Sequence, residues 1–146
     1  MTREIMVFNL VSSVYGIELK RIKGILVYSS LIITPLYNER EWIIGVTNLR
    51  GEVIAVVDLR KRFGNRAIYD ENTVVIVIQT NEDKIIGIVV DSIEKIAHIT
   101  NENVINAPEI SVGMDLKYIE GLVQIEEEEM VTLINVDVLL SIEELE

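Results

Sequence analysis

The sequence predicts a mainly β protein in which two small subdomains share an apolar interface. Isoleucine and valine supply 24 and 19 of the 146 residues, and β-branched side chains favour strands because they pack well on a pleated sheet and lose rotamers in a helix. The segments VIAVV, VVIVI and IIGIVV are apolar at consecutive positions, which is typical of strands covered on both faces. We therefore expect one domain, residues 1–146, with a sizeable core.

Apolar segments between turn residues define the strands in order. IMVFNLV predicts the first strand, and VYGIELKRIKGILVYS holds a further strand and a short irregular segment. TVVIVIQT and KIIGIVVD flank a polar turn at residues 81–83, and YIEGLVQI and MVTLINV flank the four glutamates 126–129, so each pair predicts a hairpin. The polar segment 100–118 predicts a loop, and VDVLLSIEEL predicts a short C-terminal helix with Asp137 near its start.

The segment IIGVTNLRGEVIAVVDL predicts an antiparallel hairpin with an arginine at its tip. Asn48 suits the first position of a type I turn and Gly51 the fourth, so Arg50 is expected to be exposed. Position alone leaves two interpretations. Arg50 is either a surface residue that keeps the turn soluble or a recognition residue whose planar guanidinium meets a carboxylate.

The next segment, DLRKRFG, predicts a helix of one or two turns. Asp58 suits the N-cap, and Gly64 suits the left-handed residue that ends the helix. Arg60, Lys61 and Arg62 are then expected to be solvated cations that match the negative end of the helix dipole.

Charge and composition exclude several classes of function. Residues 101–146 account for the whole net charge of -11, so this part of the chain does not suit a nucleic-acid surface. The chain has no cysteine and a single histidine, His98, and it lacks the usual nucleotide-binding and serine-hydrolase motifs. We expect no catalytic residue, metal or cofactor. A small acidic β-barrel enzyme that uses Asp58 or Asp91 is one alternative, and an RNA-binding β-barrel is a weaker one.

The expected location is cytoplasmic. The N-terminus lacks the pattern of a signal peptide, and no apolar run approaches the roughly 20 residues needed to cross a bilayer.

Several motifs resemble the CheW family of chemotaxis coupling proteins. They are GV-x-NLRG followed by V-x-DLR-x-x-FG, the run IGIVVD at residues 86–91, and FNLVSSVYG near the N-terminus. The resemblance covers about residues 5–142. It implies two small five-stranded SH3-like β-barrels packed about a shared hydrophobic core.

The resemblance also implies a function and partners. It implies an adaptor without enzymatic activity that bridges the cytoplasmic tip of a methyl-accepting chemoreceptor to the regulatory domain of a CheA-type histidine kinase, and that is recruited to receptor arrays at the membrane. A module similar to that regulatory domain, standing alone, is the alternative within the same fold.

The resemblance assigns residues to receptor contact in a groove between the subdomains. Arg50 is the polar member, and Gly87 holds a nearby strand close. The remaining members are Ile22, Gly45, Val74 and Ile96. This sequence departs from the family pattern at Gly24, where a glutamate is usual, so a contact through that carboxylate is lost or replaced.

Overall fold

Two β-sheets contain more than half of the residues that the computed structural model describes, which are residues 2–37, 40–105, 116–126 and 129–141. The strands of one sheet come from both ends of the chain: β1 (Thr2–Leu10), β2 (Ser13–Glu18), β8 (Ser92–Thr100), β9 (Val104–Ile105), β10 (Ile119–Glu126) and β11 (Glu129–Ile134). The strands of the other come from the middle: β3 (Ile22–Val27), β4 (Ile43–Leu49), β5 (Glu52–Asp58), β6 (Val74–Gln79) and β7 (Ile85–Val90). Two short α-helices, α1 (Leu59–Arg62) and α2 (Val136–Leu139), follow β5 and β11.

The strand orders are β8-β1-β2-β11-β10-β9 and β3-β6-β7-β5-β4. Neighbouring strands are antiparallel except for two parallel pairs, β2 with β11 and β5 with β7. The mainly β class and the two-sheet organisation are confirmed, and two sheets are consistent with the SH3-like description. One sheet has six strands rather than five because the two-residue β9 pairs with the outer edge of β10.

Three apolar clusters fill this architecture. The largest, which we call the shared core, takes Phe8 and Ile17 from the six-stranded sheet and Ile76 and Ile88 from the five-stranded sheet, all almost fully buried. A second cluster around Val131 belongs to the six-stranded sheet, and a third belongs to the five-stranded sheet. Because each sheet buries one face in its own cluster and the other in the shared core, the central strands are apolar at consecutive positions.

The connections between strands that are adjacent in the sequence form at the predicted turns. The hairpins β4–β5, β6–β7 and β10–β11 form as expected, although residues 127 and 128 of the last turn lie outside the described residues. The predicted loop contains the 3₁₀ turns Asn101–Asn103 and Leu116–Tyr118 and the short β9, and its residues 106–115 also lie outside the described residues.

The C-terminal helix is short and begins at Val136, as predicted, and residues 142–145 of the predicted segment lie outside the described residues. Asn135 is its N-cap, and the side chain of Asn135 accepts a hydrogen bond from the backbone N–H of Val138. Asp137 lies in the first turn, where a negative charge is favourable. In the described part of the chain, no helix has the length and apolarity needed to span a membrane.

Candidate functional site

The tip of the β4–β5 hairpin presents Arg50 on a tight turn. Leu49 pairs with Glu52, so the loop contains only Arg50 and Gly51, with φ angles of 51° and 88°. Two positive φ angles define a type I′ turn, whose twist matches that of the flanking strands. The predicted type I turn is therefore wrong. Asn48 still contributes to the turn, because its side-chain oxygen accepts a hydrogen bond from the N–H of Gly51 at 3.0 Å.

Arg50 is exposed at this tip. Among the described residues, no hydrogen bond or ion pair reaches its guanidinium group. A guanidinium that is fixed at its backbone and open to solvent can receive a carboxylate in a two-point geometry.

The other residues assigned to receptor contact lie on both sheets. Ile22 and Val74 are the first residues of β3 and β6, half-buried and packed against the shared core. Ile96 lies on β8 of the six-stranded sheet and is 49% exposed. Arg50, Ile22 and Val74 thus lie on the five-stranded sheet, together with Gly45 and Gly87, and Ile96 lies on the other sheet.

Gly45 and Gly87 form a row across the five-stranded sheet with Gly24. Strand pairing places Gly24 opposite Val77, Val77 opposite Gly87, Gly87 opposite Val56, and Val56 opposite Gly45. A Cβ atom at Gly45 would overlap the carbonyl oxygen of Thr34, and a Cβ atom at Gly87 would lie 2.8 Å from Cγ1 of Val75. Packing within the sheet is therefore sufficient to require glycine at these two positions. A Cβ atom at Gly24 would have no neighbour within 4 Å.

A buried ion cluster follows β5. Asp58 is the N-cap of α1, where its Oδ1 accepts a hydrogen bond from the backbone N–H of Arg60 at 2.9 Å. The Arg60 side chain folds back on the same carboxylate, with Nε 3.0 Å from Oδ1 and Nη2 3.0 Å from Oδ2. Its Nη1 donates to Oδ1 of Asp91 and to the carbonyl oxygen of Ile68, both at 2.7 Å. The hydroxyl of Tyr69 also donates to Oδ2 of Asp58.

This cluster corrects the expectation that Arg60 is a solvated cation. Its side chain is 1% exposed, and its charge is balanced by two carboxylates. Burial lowers the pKa of Arg60, but the hydrogen bonds to Asp58 and Asp91 outweigh burial and raise it above the ordinary value. The pKa of Tyr69 is raised above its ordinary value, mainly by burial and also by the hydrogen bond to Asp58.

Arg62 also lies in an interface, contrary to the same expectation. Its guanidinium lies over the rings of Trp42 and Tyr118, at 4.8 and 5.1 Å from their centroids. Nη2 of Arg62 donates a hydrogen bond of 2.6 Å to the hydroxyl oxygen of Tyr118. Lys61 is exposed, and Gly64 after the helix has a φ of 79°, in the left-handed region.

Comparisons with known proteins decide the family. Residues 4–144 match the model of the CheW-like domain. The chain belongs to the CheW family. It is 37% identical over 144 residues to the chemotaxis protein CheW of Klebsiella aerogenes, with 98% of this chain and 84% of that protein covered.

A second curated relative and a solved structure agree with this assignment. The chain is 30% identical over 125 residues to the chemotaxis protein CheW of Treponema pallidum, with 83% of this chain and 72% of that protein covered. Its fold superposes on the crystal structure of the scaffolding protein TtCheW from Thermoanaerobacter tengcongensis with a TM-score of 0.87 and 25% identity, covering 99% of this chain and 96% of that one.

As a member of the CheW family, the chain is a non-enzymatic chemotaxis scaffold protein. This result rejects the alternative of an enzyme that uses Asp58 or Asp91. The geometry gives these residues another role, because both carboxylates are engaged by Arg60. Across the described ranges, no group of three or more His, Asp or Glu side chains is arranged to hold a metal ion.

The sequence alone did not reveal the ion cluster. One signal was present, because Asp58 and Asp91 both end apolar segments. It becomes informative only once β5 and β7 are known to be parallel, with Asp58 opposite Val89, so that the ends of both strands meet at one edge of the sheet.

Proposed function

We propose that this CheW-family chain is a coupling adaptor that binds the cytoplasmic tip of a methyl-accepting chemoreceptor and the regulatory domain of a CheA-type histidine kinase. It acts as a single cytoplasmic domain that is recruited to receptor arrays, without nucleic acid, cofactor or insertion into the membrane. The family supports the class of function, and the finer assignment of partners is our proposal.

The observation that carries the receptor half of this proposal is the geometry of Arg50. The guanidinium is exposed at the tip of a two-residue turn, and no described residue neutralises it. The resemblance to the family places the polar receptor contact at this position. Exposed aliphatic surface on the other sheet, at Ile96, provides apolar contact area of the kind that helix-in-groove recognition uses.

Reversal of the charge at Arg50 tests the proposal. We expect Arg50→Glu to weaken binding to a receptor-tip fragment about tenfold or more, which corresponds to about 1.4 kcal/mol, because a favourable charge pair becomes a repulsion. Binding to the kinase regulatory domain should stay within about twofold of the parent protein. Both affinities are measured by titration calorimetry, and circular dichroism checks the fold.

Arg66→Glu is the matched control. Arg66 is also exposed, and it lies in the connection after α1, beyond the opposite end of β5 from Arg50. This variant makes the same change in net charge and should bind the receptor fragment normally. Equal losses in the two variants would show that net charge, and not the hairpin tip, governs binding. A parent protein that binds neither fragment would contradict the proposed function itself.

A further inference from the structure

Three polar contacts among the described residues join the two subdomains. The first contact runs through Arg60 on α1, which follows β5 of the five-stranded sheet. Arg60 binds Oδ1 of Asp91 at the junction of β7 and β8, and Oδ2 of Asp91 accepts a hydrogen bond from the backbone N–H of Val11. Val11 lies in the β1–β2 turn of the six-stranded sheet. One carboxylate therefore connects the two sheets.

The β1–β2 turn depends on this carboxylate. Val11 has a φ of 60°, which is unusual for a β-branched residue because its Cβ crowds the backbone in the left-handed region. The hydrogen bond from Val11 to Asp91 and that from the N–H of Asp91 to the carbonyl oxygen of Asn9 hold the turn in this conformation. The conformation of the β1–β2 turn thus depends on Asp91, which lies in the connection between the two sheets.

The second contact runs through Arg62, also on α1. Trp42 precedes β4 of the five-stranded sheet, and Tyr118 precedes β10 of the six-stranded sheet. The Arg62 guanidinium contacts both rings and donates to the Tyr118 hydroxyl. Both arginines of the four-residue helix α1 therefore reach across from one sheet to the other.

A third contact lies at α2. Asp137 accepts hydrogen bonds from the backbone N–H of Asn81, in the β6–β7 turn, at 2.7 Å and from Nη2 of Arg21 at 2.8 Å. Arg21 is in the 3₁₀ turn where the chain first passes from one sheet to the other. This contact is independent of α1.

These contacts add directional constraints to the packing of the shared core. The hydrophobic driving force is itself non-directional, so it specifies the angle between the sheets less sharply than directional contacts do. Charge-assisted hydrogen bonds require defined distances and directions. We infer that Arg60 and Arg62, through Asp91 and Tyr118, are positioning residues that fix the orientation of the two subdomains and thereby couple two partners bound to this scaffold. The coupling part of this inference rests on the proposed function.

The orientation is measured directly in two variants. Asp91→Asn keeps the shape of the side chain but loses its charge, and Arg62→Met keeps an apolar stem between the two rings. Spin labels are placed at Lys23→Cys on β3 and Glu94→Cys on β8, both exposed; the absence of cysteine makes this labelling specific. We expect each variant to broaden or shift the distance distribution between the labels by pulsed electron paramagnetic resonance.

Coupling is measured with the unlabelled proteins. We expect Asp91→Asn and Arg62→Met to lower receptor-dependent activation of the kinase about fivefold or more, while the affinities for each partner alone change less than twofold. The control is Val75→Ala, which removes buried atoms from the cluster that belongs to the five-stranded sheet alone. Val75→Ala should lower stability yet leave both the distance distribution and the coupling unchanged.

The outcomes separate the two proposals. Unchanged distance distributions in both variants would overturn the inference, and so would a loss of coupling that is equally large in Val75→Ala at matched stability. If the parent protein fails to bind receptor or kinase, the proposed function fails, whereas the distance measurement still decides whether α1 fixes the orientation.

Discussion

At the scale of single residues, the chain buries a charge that local sequence rules place in solvent. A short helix with cations near its C-terminus is explained by the helix dipole, and that explanation suffices for Lys61. Arg60 differs because it binds the carboxylates of Asp58, at the end of β5, and of Asp91, just after β7, and also a backbone carbonyl. Such a partner set depends on the pairing of strands that are distant in the sequence, and no local rule contains this information.

Tyr69→Phe tests the contribution of the Tyr69 hydroxyl to the ion cluster. The Tyr69 hydroxyl donates to Asp58, and hydrogen bonds to charged groups contribute about 1.5–3 kcal/mol. We expect the variant to lower the free energy of unfolding at pH 7 by about 1–2 kcal/mol, because Tyr69 is partly exposed. The measurement is urea denaturation followed by circular dichroism. Tyr37→Phe, at a fully exposed side chain, is the control and should have no measurable effect.

Tyr69 should also make the free energy of unfolding depend on pH. Because burial and the bond to Asp58 raise the pKa of Tyr69 in the folded protein, the folded state holds this proton more tightly than the unfolded state. The stabilisation is complete below a pH of about 10, the ordinary tyrosine pKa, and is lost as the pH rises further. Tyr69→Phe should therefore reduce the fall in stability between about pH 10 and 11. An identical fall in both proteins would contradict this assignment.

At the scale of elements, most of the features that depend on residues close together in the sequence were predicted correctly. Three hairpins followed from polar turn residues between apolar segments, and the two-sided burial of the strands followed from their consecutive apolar positions. The turn type at Arg50 was missed because Asn48 and Gly51 suit the first and fourth positions of a type I turn, whereas the observed type I′ turn begins at Leu49 and has Arg50 and Gly51 at its centre. The parallel pairs were missed because each joins strands that belong to different hairpins.

The row of glycines across the five-stranded sheet predicts a graded response to alanine. Gly45 has a φ of 152° and no room for a Cβ atom, so Gly45→Ala should destabilise by about 3 kcal/mol or more. Gly87→Ala would place its Cβ atom 2.8 Å from Cγ1 of the buried Val75 and should destabilise by about 1–3 kcal/mol. Gly24→Ala should be neutral or stabilising by up to about 1 kcal/mol. Thermal and urea denaturation of the three variants give the order, and an effect of Gly24→Ala as large as that of Gly45→Ala would refute it.

At the scale of the whole molecule, the shared core predicts cooperative unfolding. Its buried side chains come from both sheets and from both α-helices, so neither sheet retains its packing when the other is lost. We expect a single unfolding transition, coincident by far-ultraviolet circular dichroism and by the fluorescence of Trp42, which packs against this core.

Leu59→Ala tests this expectation. Leu59 is fully buried in the shared core, so the variant should destabilise by about 2–5 kcal/mol and move both transitions together. Ile32→Ala, at a side chain that is 86% exposed, should change stability by less than about 0.5 kcal/mol. Two separated transitions in Leu59→Ala would show that the subdomains unfold independently.

The strand orders also affect how the protein folds while the ribosome is synthesising it. All strands of the five-stranded sheet lie between residues 22 and 90, so this sheet has its complete set of strands while the C-terminal part of the chain is still being made. β1 pairs with β8, and β2 pairs in parallel with β11, in which Tyr15 lies opposite Thr132. β1 and β2 can pair with each other as soon as both have emerged, but their outer neighbours β8 and β11 are made much later, so both edges of this hairpin stay unpaired until then.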